Sequence, residues 1–129
     1  MSFAYLLPES PENLLSYFTL VADLPYAMLL DSAARDHVNS RYDIMVCQPM
    51  ATFEAFGQDC HWQIDGDNFQ ASQDPFLLLK TLQNKLLPEV PIDACALPFC
   101  GGVLGYIGYD AGRTIEPMPD LANHDIALP

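Results

Sequence analysis

Residues 97–116 read LPFCGGVLGYIGYDAGRTIE, and the fold turns on how that stretch is understood. Gly101, Gly102, Gly105 and Gly108 are four glycines within eight residues. Val103, Leu104, Tyr106 and Ile107 stand between them, with Tyr109 beyond, a mixture that favours extended structure. Glycine weakens a strand, and it is kept where a side chain would clash or the chain must bend. The stretch therefore predicts a sharply bent core strand with close backbone approach, and Gly105→Val is expected to destabilise it. A short helical stretch near 111–115 follows. Asp110 can cap it, and Arg113 can lie beside Asp110 three residues along. That pair is structural by default.

Upstream, Ser10-Pro11-Glu12 is a helix start: a capping hydroxyl, a proline in the first turn and an acid favoured by the helix dipole. Leu14, Leu15, Phe18, Val21 and Ala22 follow at helical spacing, and Pro25 ends the run. The apolar runs at 26–31 and 42–48 predict two strands. Residues 52–56 and 60–65 predict a hairpin turning at Gly57-Gln58-Asp59, with Cys60, Trp62 and Ile64 on one face. Asp65-Gly66 turns the chain again. Asp74-Pro75 caps a second helix whose apolar face is Leu78, Leu79, Leu82, Leu86 and Leu87, with Lys80 and Lys85 solvated. The order of elements predicts an α+β fold with a largely antiparallel sheet.

The chain has 129 residues, half of them hydrophobic, which suits one domain with a core. Seventeen acids against five bases give a net charge of -12. Such a surface repels phosphate backbones and anionic lipid, so nucleic-acid and membrane binding are excluded as expectations. The N-terminus has no basic region and meets Pro8 at once, so no secretory signal is read there and a cytoplasmic location is expected. Cys47, Cys60, Cys95 and Cys100 show no zinc spacing; Cys47 and Cys60 read as buried free thiols. The chain stops at 126–129, IALP, where the pattern calls for an apolar strand, so truncation of a longer protein is expected.

Most catalytic signatures are missing. The G-G-x-x-G-x-x-G spacing is not that of a dinucleotide loop. Asp65-Gly66-Asp67-Asn68 starts like a calcium loop, but Gln70 and Phe76 occupy its critical positions. His37, His61 and His124 are scattered and read as structural. The bases are few, and Arg35, Arg41 and Arg113 lie beside the motifs. One candidate binding arrangement remains: Leu29-Leu30-Asp31-Ser32, then a short loop, then Ser40-Arg41-Tyr42-Asp43. Hydroxyls and backbone groups could hold a small amino acid's polar ends and the phenol ring its side chain. The alternative is an ordinary strand–loop–strand connection with Arg41 paired to a nearby acid.

These motifs together resemble the N-terminal part of component I of aminodeoxychorismate synthase, the para-aminobenzoate branch of the anthranilate synthase component I family. The resemblance rests on LPYAMLLDS (24–32), SRYDIMVCQP (40–49), DPFLLL (74–79), LPFCGGVLGYIGYDAGR (97–113) and EPMPDLANHDIALP (116–129). Pro98 running directly into Phe99, and Gly112 before Arg113, resemble the aminobenzoate branch. The resemblance implies a β-sandwich flanked by helices, here a single incomplete N-terminal domain over 1–129 without the catalytic chorismate-binding domain. It implies a full-length transferase that aminates chorismate for folate synthesis, using magnesium and ammonia from a glutamine amidotransferase subunit. The chain alone is expected to be inactive and to hold no cofactor. By motif match, a tryptophan-type ligand would sit on Leu30, Ser32, Ser40, Arg41 and Tyr42. Asp31 stands where anthranilate synthases commonly have glutamate, which bears on regulation more than on binding. The rival readings are anthranilate synthase component I with tryptophan feedback, a stand-alone amino-acid-binding module, and a docking surface for the amidotransferase. An unpaired sheet edge is also expected to pair two copies of the chain.

Overall fold

The structure, a computed structural model, describes residues 14–33, 36–87, 99, 101–117 and 119. The chain divides into two compact units, Met1–Met50 with Ala96–Cys100, and Ala51–Cys95 with Gly101–Pro129.

In the first unit, helix α1 (Leu14–Thr19) buries Leu14. The expected Ser10-Pro11-Glu12 start lies outside the described residues. The helix is shorter than its apolar spacing predicts. After Thr19, Leu20 N–H bonds Tyr17 O, Val21 N–H bonds Phe18 O and Leu24 N–H bonds Val21 O, a chain of tight turns rather than helix. Pro25 explains this, since it has no N–H to donate and its ring disfavours helical backbone in the residue before it.

Strands β1 (Met28–Leu30) and β2 (Ile44–Val46) pair antiparallel, with Met28 opposite Val46 and Leu30 opposite Ile44. Both expected strands form, trimmed at both ends, most clearly at the outer one. There Tyr26 (φ 55°) and Gln48 (φ 50°) take left-handed backbone, and Gln48 N–H bonds Pro25 O at 2.8 Å. Left-handed backbone does not continue a ladder, so the pairing stops between them.

The second unit is built on a three-stranded antiparallel sheet, β3 (Ala51–Phe56), β4 (Asp59–Ile64) and β5 (Asp67–Ser72). The expected hairpin is present, but its loop is two residues, because Phe56 pairs with Asp59. Gly57, at φ 61°, supplies the positive φ needed at the first loop position. The second loop is Asp65-Gly66, both at positive φ (51° and 93°), as a type I′ turn requires.

Strand β5 is not signalled by apolar patterning: DNFQAS is rich in residues of low strand propensity. Its signals are the Asp-Gly turn and the alternation of Phe69 with Ala71. Pairing sets Phe53, Trp62 and Phe69 in one row across the three strands. The Trp62 and Phe69 rings stack with centroids 5.7 Å apart and planes 14° from parallel.

Helix α2 (Pro75–Leu86) starts as the sequence predicts. The Asp74 carboxylate accepts from Phe76 N–H at 2.8 Å and Leu77 N–H at 3.2 Å, and Pro75 occupies the first turn, where its missing N–H costs nothing. Leu78 is buried and Leu79, Leu82, Leu86 and Leu87 are half-buried, while Lys80 and Lys85 are exposed. The most buried side chain among the described residues is Cys60, only 1% exposed, with Sγ 3.5 Å from Gln58 O and 3.6 Å from Gln73 O.

Residues 101–108 depart from expectation. They form no strand, and no backbone hydrogen bond joins residues 101–107 to another described residue. Val103, Tyr106 and Ile107 are exposed rather than in a core. A Cβ on Gly105 would meet nothing within 4 Å, so close approach does not explain that glycine. Gly101 (φ 118°) and Gly102 (φ 149°) do need glycine, because their backbone lies where L side chains are strained.

A 3-10 helix at Tyr109–Thr114 follows. Asp110 makes no cap bond to it; its carboxylate instead takes the Arg113 Nε–H at 2.8 Å. Among the described residues the class is α+β with one antiparallel sheet in each unit, and neither unit by itself is a sandwich.

Candidate functional site

The five residues singled out for ligand binding all lie in the first unit, at the inner end of β1 and on the connection from there to β2. That connection is fastened at its base. The register of the pair, carried two residues past Leu30 and Ile44, sets Ser32 opposite Tyr42. Two bonds agree with that register: Ser32 Oγ–H donates to Tyr42 O, and Ser32 N–H donates to the Asp43 carboxylate, each at 2.8 Å.

Side chains alternate along extended chain, so Leu30, Ser32 and Tyr42 fall on one face of the strand ends. Leu30 is 47% and Tyr42 40% exposed, and Ser32 is half-buried. The structure therefore brings three of the five together. Ser40 and Arg41 stay in the loop. Ser40 N–H closes a turn onto His37 O at 2.9 Å, and Asn39 N–H bonds His37 Nδ1 at 3.1 Å. His37 is thus a turn residue. Arg41 is exposed and pairs with no acid among the described residues.

This geometry assigns chemistry to each group. The Ser32 hydroxyl proton is committed to Tyr42 O, which leaves only oxygen lone pairs for a ligand, an arrangement suited to an ammonium. Arg41 offers a donor fork suited to a carboxylate. The exposed Tyr42 ring offers a flat apolar surface beside them. Sequence reasoning quoted Asp43 in the motif but gave it no role in the site. It is the residue that holds the Ser32 backbone, and its place at the end of the SRYD motif was the available signal.

Elsewhere the described residues offer little chemistry. No three His, Cys, Asp or Glu side chains among them converge to hold a metal ion. Cys47 and Cys60 are free thiols; Cys47 is half-buried rather than buried as expected, and burial pushes the Cys60 thiol above its ordinary value. His61 lies on the exposed polar face of the three-stranded sheet, opposite Glu54 and Gln70. Arg35, Cys95, Cys100 and His124 lie outside the described residues. No described helix is long and apolar enough to cross a membrane.

No family model matches the chain. Individual relatives do. It is 38% identical over 115 residues to aminodeoxychorismate synthase component 1 of Escherichia coli, covering 88% of this chain and 25% of that protein. It is 41% identical over 123 residues to the protein of that name from Salmonella typhimurium, covering 95% and 27%. Anthranilate synthase component 1 of Thermus thermophilus matches at 30% over 114 residues, covering 88% and 23%. The chain spans about a quarter of the length of the curated relatives it matches. Over that quarter, the chain belongs to the family of aminodeoxychorismate synthase component 1, to which anthranilate synthase component 1 is also related.

Proposed function

We propose that this chain serves as the N-terminal domain of an aminodeoxychorismate synthase component 1. The complete polypeptide would replace the 4-hydroxyl of chorismate with an amine, drawing ammonia from a glutamine amidotransferase subunit, in the cytoplasmic supply of para-aminobenzoate for folate. The observation that carries this is the difference in identity: 38–41% to the aminodeoxychorismate synthase relatives against 30% to the Thermus anthranilate synthase. Chorismate and magnesium belong, on this reading, to the part of the family polypeptide that the chain does not match, and the chain alone is inactive. Its own sheets would form the family's sandwich together with that part.

The chain's contribution would be scaffold and a tryptophan-type pocket. Ser32 lone pairs receive the ligand's ammonium, Arg41 its carboxylate, and Leu30 and Tyr42 its ring, with Ser40 closing the loop. The exposed Arg41 and the Ser32 hydroxyl, its proton given to Tyr42 O, support this. L-Tryptophan is expected to bind in calorimetric titration while L-phenylalanine does not; equal heats for both would remove the pocket.

A chimera tests the activity. The matching quarter of the E. coli relative is replaced by this chain and introduced into para-aminobenzoate and tryptophan auxotrophs. Rescue of the first alone is expected. Rescue of the second alone would assign the anthranilate branch, which the similarity to the Thermus protein keeps as the second reading.

A further inference from the structure

Ser32 stands just past the point where the β1–β2 ladder stops. The register faces it with Tyr42, yet pairing ends at Leu30 and Ile44. Facing residues of a hydrogen-bonded antiparallel pair exchange N–H···O bonds, so the Ser32 N–H is the natural donor for Tyr42 O. That acceptor is taken instead by the Ser32 hydroxyl, at 2.8 Å. The Ser32 N–H turns to the carboxylate of half-buried Asp43, also at 2.8 Å. Both protons of this serine are therefore engaged by two consecutive residues, while its Oγ keeps lone pairs for an incoming donor.

We infer that Asp43 is a positioning residue for ligand binding: by taking the Ser32 N–H it leaves Tyr42 O to the hydroxyl, and so fixes Ser32 Oγ as an acceptor for the ammonium of an amino acid. The inference rests on the pocket proposed above. Asp43 acts through Ser32 and does not touch the ligand. Without its carboxylate, the Ser32 N–H competes for Tyr42 O. The displaced hydroxyl is then free to rotate, its lone pairs lose their set direction, and its proton can face the ligand's own N–H donors. The ligand's ring and carboxylate rest on Leu30, Tyr42 and Arg41, so the loss falls on recognition of the amine.

Calorimetric titration of the chain with L-tryptophan, and with indole-3-propionate, which lacks the amine, tests this. The ratio of the two affinities is the readout, because partial misfolding removes sites for both ligands alike and leaves the ratio unchanged. Asp43→Ala should weaken L-tryptophan about tenfold, the size of one hydrogen bond to a charged group, and leave indole-3-propionate within about twofold. Asp43→Asn keeps a side-chain oxygen for the Ser32 N–H and should restore the ratio of the unaltered chain. Equal losses for both ligands in Asp43→Ala would make Asp43 only a fastener of the connection and overturn the inference. So would an Asp43→Asn variant that fails to restore the ratio.

Ser32→Ala locates the effect. Removing the acceptor should lower the same ratio, and adding Asp43→Ala should lower it no further, since both changes act through one oxygen. A further fall in the double variant would give Asp43 a route to the ligand that bypasses Ser32, and would also overturn the inference. An unaltered chain that binds neither ligand overturns the pocket and this inference together. Binding whose ratio Asp43→Ala leaves unmoved overturns this inference alone.

Discussion

The three-stranded sheet and the glycine-rich segment have similar sequence credentials and opposite outcomes. Both mix aromatic and apolar residues with glycine. Yet β3, β4 and β5 pair residue for residue, while residues 101–107 bond no other described backbone group. The difference lies in the distance to the partner. Gly57-Gln58 and Asp65-Gly66 return the chain upon itself within two residues, so each strand meets its neighbour at little loop-closure cost. Among the described residues no turn brings a strand to the glycine-rich segment. Strand propensity makes pairing favourable, but a partner must be supplied.

Four experiments put that contrast at risk. The largest effect is expected at Trp62, in the middle of the cross-strand row and stacked on Phe69. Trp62→Ala should cost the second unit about 3 kcal/mol in a urea titration followed by far-ultraviolet circular dichroism. A loss below about 1 kcal/mol would mean the row does not hold the sheet.

Next is the cap of α2. Asp74→Ala removes the acceptor for two helix N–H groups, and a loss of about 1 kcal/mol is expected by the same titration. Asp74→Asn, which keeps a capping oxygen, should recover most of it.

Cys60 gives a smaller effect with a definite sign. Its thiol is raised above the ordinary 9.0, chiefly because burial disfavours the thiolate. Below pH 9.0 both folded and unfolded chains keep the proton, and stability is unaffected by this group. As pH rises through that value toward the folded one, the unfolded chain loses its proton first, so the native state is progressively destabilised. Unfolding titrations should show this fall, and Cys60→Ala should remove it.

The smallest effect separates the two kinds of glycine. Gly66 sits at φ 93° with open space around its missing Cβ, so Gly66→Ala should cost close to about 1 kcal/mol through backbone strain alone. Gly105 also has open space but no positive φ, so Gly105→Ala should change the stability of this chain by less than about 0.5 kcal/mol. Equal losses at Gly66 and Gly105 would remove the distinction between the two kinds of glycine.

Local sequence was enough wherever the structure closes within a few residues. The Asp74-Pro75 start of α2, the hairpin turn at Gly57 and the reversal at Asp65-Gly66 follow from capping and φ preferences acting locally. The motifs also placed the chain in its family and pointed to the β1–β2 connection as the candidate site. Whatever depends on remote partners was left to the folded chain. Folding recruited DNFQAS into a strand because β4 was already beside it. It joined Ser32 to Tyr42 and Asp43 across ten and eleven residues of sequence, and left Ser40 and Arg41 in the loop. Among the described residues it also gave the glycine-rich stretch no ladder. Propensity is a property of the residues in hand, whereas pairing and burial need a second surface, and no local pattern specifies where that surface is.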